Sequence, residues 1–157
     1  MNAEQLYAAM AGAAKAANPV THTLFAAAAR TGAAVVNGTA FEVGGRKNWA
    51  IHYNLTAAAA VAGDTLDVKA QMSLDGTVWY DLIHFTQSLG NGGAKSFLFT
   101  TTFAAMTTAA LDVSAALGSA TGRQTTTVGY YIRGTYTLVD GGAHNQSFTF
   151  SLTATGF

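Results

Sequence analysis

Strict two-residue alternation of apolar side chains constrains this chain more than any other feature. In residues 48–56, Trp49, Ile51, Tyr53 and Leu55 fall on one parity and Ala50, His52 and Asn54 on the other. Residues 64–73 repeat the pattern, with Leu66, Val68, Ala70 and Met72 against Asp67, Lys69 and Gln71. In residues 146–155, Phe148, Phe150 and Leu152 oppose a row of Ser and Thr. A period of two places successive side chains on opposite faces of a strand, so each segment reads as a strand with one buried face.

The remaining segments extend the series. Residues 20–28 and 33–43 are strand candidates divided by Arg30-Thr31-Gly32, and 77–86 returns from an Asp75-Gly76 hairpin signal. Residues 95–103 set Phe97, Phe99 and Phe103 on one parity, and 125–139 do the same for Val128, Tyr130, Ile132, Tyr136 and Leu138. Residues 104–122 are rich in Ala, Thr and Ser and hold at most a short strand at 110–114. About eight one-sided strands joined by glycine turns are buried most economically by two antiparallel sheets packed face to face. The expected fold is all-β: an antiparallel β-sandwich, jelly-roll-like, over residues 21–157. Residues 1–20 read as an N-terminal arm, helical or extended. Asn2 is its cap, Leu6 and Met10 share a face, and Asn18-Pro19 ends it.

Composition excludes several functions. Charged residues are 10% of the 157, eight basic and eight acidic, and cysteine is absent. A zero net charge without a basic stripe argues against nucleic-acid binding, and the lack of a polybasic segment argues against a membrane surface. No apolar run approaches a membrane span, and the N-terminus has neither the basic n-region nor the unbroken apolar core of a signal peptide. Without thiols there is no disulfide framework or thiolate metal site. His22, His52, His84 and His144 lie in separate segments with no metal-ligand spacing, so no metal site is expected. Asp64 and Asp67 flank a strand start but lack the dense acidic loop of a calcium site.

Three short motifs fall short of their chemistry. Gly90–Ser96 resembles the end of a phosphate loop, but Ala94 and Leu89 stand where glycines are required. Ser73–Trp79 is one residue too short for the Asp-box hairpin of sialidases. The sequons at Asn37, Asn54 and Asn145 are chance matches in a chain with 22 Thr. No nucleophile elbow is present, and no enzymatic activity or cofactor is expected.

Paired aromatics point elsewhere. Trp79-Tyr80 and Tyr130-Tyr131 each send one ring to the face away from the strand's core, and exposed rings on a charge-poor surface suit protein contact. The contact candidates are Leu6, Tyr7 and Met10 in the arm, Arg46 and Lys47 in the Gly44–Lys47 turn, and Trp79 and Tyr131.

The stretch from Gly38 to Phe85, with L-D-V-K-A-Q-M-S-L-D-G-T-V-W-Y-D-L at its centre, resembles small virion structural proteins of tailed bacteriophages. That group includes capsid decoration (cement) proteins of β-sandwich fold. The resemblance implies a virion location, usually the capsid surface. The implied partners are the major capsid protein or other virion proteins, and further copies of the chain as a dimer or trimer. A neck, tail or baseplate component is the alternative within that class, and a carbohydrate-binding module is the alternative outside it.

Overall fold

The computed structural model describes residues 18–43, 46, 48–101, 129–142 and 147–157. Among them are ten strands: β1 (Val20–Thr31), β2 (Ala34–Asn37), β3 (Phe41–Glu42), β4 (Trp49–Ala57), β5 (Thr65–Ser73), β6 (Tyr80–His84), β7 (Ser88–Leu89), β8 (Lys95–Thr101), β9 (Tyr131–Val139) and β10 (Ser147–Gly156). No helix occurs among the described residues. The helical reading of the arm and the short strand at 110–114 lie outside them.

The strands form two antiparallel sheets. The first runs β1-β10-β4-β8, and the second runs β2-β9-β5-β6, with β3 added on β9 and β7 on β5. The pairs β1·β10, β2·β9, β4·β8 and β5·β6 are the successive rungs of one long hairpin. Rolling that hairpin up brings β10 onto β4 and β9 onto β5. This is the jelly-roll sandwich, and the Ser73–Tyr80 connection is its apex. The two-residue strands β3 and β7 raise the count from the expected eight to ten by prolonging the β2 and β6 edges.

The alternating segments behave as their period requires. Trp49, Ile51, Tyr53 and Leu55 are buried on β4, as are Leu66, Val68, Ala70 and Met72 on β5 and Phe148, Phe150 and Leu152 on β10. Burying each large apolar side chain contributes about 1.5–3 kcal/mol, which makes the inner faces the main source of cohesion. Phe150 lies at the centre, its ring edge-on to Phe25, Tyr53 and Tyr136 at centroid distances of 5.3–5.9 Å. The Tyr53 hydroxyl finds a buried partner in Ser88 Oγ at 2.9 Å. Burial pushes the Tyr53 phenol up to about 12.

Three departures from alternation have local causes. In β1, Leu24 and Phe25 are both buried because the register shifts on either side of Phe25. The expected strand at 33–43 breaks at Gly38, whose amide bonds to the Gly134 carbonyl at 2.9 Å. Tyr130 was expected on the inner parity but precedes β9 and is 59% exposed. Within β9, Gly134 has no side chain because a β carbon there would lie 2.7 Å from the Phe25 ring.

Candidate functional site

The two outer faces of the sandwich differ in chemistry. The second sheet carries a cluster of the chain's scarce charge. Arg133 Nε donates to Gln71 Oε1 at 2.9 Å, and Gln71 Nε2 donates to Asp81 Oδ1 at 2.7 Å. Lys69 Nζ completes the chain on Asp81 Oδ2 at 2.8 Å. The three strands β9, β5 and β6 are thus tied across their outer face. The β6 bulge between Asp81 and Ile83 lets both Asp81 and His84 reach that face. His84 Nε2 lies 3.1 Å from Asp67 Oδ1, and Gln87 Nε2 donates to Asp67 Oδ2 at 2.9 Å.

The apex turn folds over one end of this face. Ser73 Oγ accepts the amides of Asp75 and Gly76, while Asp75 Oδ1 accepts the amides of Thr77 and Val78 at 2.8 and 2.9 Å. Gly76 supplies the left-handed φ of 75° that the turn needs. The Thr77 hydroxyl and the amides of Val78 and Thr77 hold the Asp75 carboxyl well below the usual carboxylate range. The turn is therefore held by a serine and an aspartate that cap its amides. It lays Gly76 against the Tyr131 ring and Trp79 over Arg133, whose guanidinium carbon is 4.1 Å from the ring centroid. Desolvation lowers the Arg133 pKa, with Asp81 acting in the opposite direction.

Trp79 and Tyr131, 52 positions apart in sequence, are thereby brought to one patch. Both are half-buried, and the more exposed side chains around them are Leu74 at 62%, Val78 at 51% and Tyr130 at 59%. Sequence reasoning chose none of these three as contacts: Leu74 and Val78 lie in the turn, and parity put Tyr130 on the core face although it precedes β9. Arg46 is not brought to this patch. Its guanidinium Nη1 reaches the Val43 carbonyl at 3.5 Å, and its carbonyl accepts the Trp49 indole N–H at 3.3 Å. Leu6, Tyr7, Met10 and Lys47 lie outside the described residues.

The first sheet presents the other kind of face. Register aligns Thr21, Thr155, Ala50 and Thr100 in one row and Thr23, Thr153, His52 and Leu98 in the next. Ser151, Asn54 and Ser96 follow. These outward side chains include no Asp, Glu, Lys or Arg. His52 Nε2 and Ser96 Oγ are hydrogen-bonded at 2.7 Å, and Thr21 and Thr155 share a hydrogen bond of 2.9 Å. Leu98 rises from this plane with 68% of its surface exposed and, with Ala50, His52, Ser96, Thr153 and Thr155, lines an open hollow of about 550 Å³.

Asp64 and Asp67 do not converge. Asp64 is buried and its Oδ1 accepts the Gly141 amide at 3.0 Å, whereas Asp67 faces outward to His84 and Gln87. Among the described residues no three His, Asp or Glu side chains gather into a metal-binding group. Gly90, in the phosphate-loop look-alike, is a packing residue whose amide donates to the Asp64 carbonyl at 2.7 Å. No family model, curated protein or solved structure matches the chain.

Proposed function

We propose that the chain is a structural protein of a tailed-phage virion, a capsid decoration protein that stabilises the shell through protein–protein contacts. The observation that carries this reading is the uncharged outer face of the first sheet. A free domain normally surrounds itself with mixed charge to stay apart from its neighbours. Here an entire four-stranded face dispenses with it, while the opposite face holds a fixed cluster of ion pairs and hydrogen bonds. Charge-depleted, flat surfaces on rigid bodies are what repeated protein contact requires. The resemblance of residues 38–85 to phage virion proteins points the same way. The Arg133 guanidinium on the Trp79 ring weighs against a carbohydrate platform at that aromatic.

Quantitative mass spectrometry of purified virions from the phage encoding this chain tests the proposal. Copy numbers comparable with the major capsid protein, with shells that open at lower temperature when the gene is deleted, support the decoration role. A copy number matching a single ring places the protein in the neck, tail or baseplate instead. Absence from the virion overturns the proposal.

A further inference from the structure

We infer that the outer face of the β1-β10-β4-β8 sheet is a self-association surface, on which a second copy packs about a two-fold axis with Leu98 of each copy seated in the Ala50 hollow of the other. Three observations lead there.

The first is charge. In an isologous contact each patch meets its own image, so any net charge on the patch meets a like charge. The side chains of this face carry no fixed charge, and its hydroxyls both donate and accept hydrogen bonds, so the surface is complementary to itself. A partner recognised by electrostatics would call for the other face, where Asp67, Lys69, Asp81 and Arg133 lie.

The second is shape. Leu98 is the large apolar side chain standing out of the plane, and it forms one wall of the hollow, whose other lining residues are Ala50, His52, Ser96, Thr153 and Thr155. Ala50 lies opposite Thr100, one outward position along β8 from Leu98. A protruding side chain with a hollow at its foot is matched by the same pair rotated through a half-turn.

The third is area. Four strands about 4.8 Å apart, paired with their neighbours over seven to nine residues at about 3.4 Å each, offer roughly 500 Å² in projection. Two such faces remove about 1,000 Å² from solvent, which reaches the size of specific interfaces.

This deepens the virion reading by naming one partner, and a different measurement decides it. Sedimentation velocity of the purified chain over a wide concentration range is expected to show a species of twice the 16.2 kDa chain mass. Leu98→Asp and Ala50→Phe are each expected to weaken it roughly 30-fold or more, as loss of an interface anchor does. Their circular dichroism is expected to stay that of the parent. Val35→Asp, on the outer face of the other sheet, is the control expected to leave the dimer intact. A monomer at all concentrations, a three-fold species, or a dimer indifferent to both variants overturns the inference. A monomer abundant in virions would leave the decoration role standing, and a dimer absent from virions would remove that role alone.

Discussion

At the scale of single residues, two titratable groups tie stability to acid, in different pH windows. His22 on β1 lies among rings, 5.0 Å from the Phe41 centroid and 6.2 Å from that of Trp49. Burial lowers its pKa from 6.5, and the Arg46 charge lowers it further. The folded state therefore favours the neutral imidazole. Its contribution is present in full above about pH 6.5 and is lost as pH falls from there through the folded-state value. We predict that His22→Gln flattens the decline of thermal stability between about pH 7 and 5, which a melting series will show. Asp75 acts lower. Its carboxyl is held below its ordinary 3.8, so its contribution is present above that value and lost only as pH falls through the depressed one. Asp75→Ala leaves the Thr77 and Val78 amides without their acceptor. Their hydrogen exchange is expected to accelerate at neutral pH while amides in β4 and β10 stay protected. Equal acceleration throughout would refute a local role for the cap.

The element scale shows which parts of the fold can be read from sequence. Strands β4, β5 and β10 have one residue type per face, so period alone located them and assigned their cores. β1 and β9 resisted for a packing reason. Phe25 leaves the alternation through a bulge and projects across the sandwich onto β9, where only glycine leaves room for its ring. The sequence shows Gly134 as an interruption between Ile132 and Tyr136, and its reason lies 109 positions away. Gly134→Ala is predicted to cost about 1–3 kcal/mol by overpacking, read as a lower urea midpoint at unchanged slope. Coupling to Phe25→Leu in a double-mutant cycle is expected to recover part of that loss, because the smaller side chain vacates the space. The patch that holds Trp79 and Tyr131 was legible in the same partial way. Parity sent one of Trp79 and Tyr80 to the outer face, but the stacking of Trp79 on Arg133 depends on β9 lying next to β5, a pairing that only the rolled topology supplies. The exposed Leu74 and Val78 lie in the apex turn, where no strand period holds, and parity assigned Tyr130 to the core face it does not occupy.

For the whole molecule, the scarcity of charge is a matter of placement as well as amount. Sixteen charged residues would suffice to dot both faces of a sandwich of this size. Instead Arg133, Asp81, Lys69 and Asp67 share one outer face, bound to one another or to neighbouring amide and imidazole groups. The opposite face has hydroxyls, Ala50 and Leu98. Contacts through these two faces must respond oppositely to salt. Ion pairs at a surface are screened beyond about 10 Å at 0.1 M salt, so association through the second sheet would weaken as salt rises. Association through the first sheet has no ion pairs to screen, and salts excluded from apolar surface favour its burial. Self-association is therefore predicted to hold constant or to tighten slightly from about 0.05 to 0.5 M sodium chloride, and to tighten further in sodium sulfate. Sedimentation equilibrium across that series is the measurement. A steep weakening with salt would assign the contact to the Arg133–Asp81 face and transfer the search for the interface to Trp79 and Tyr131.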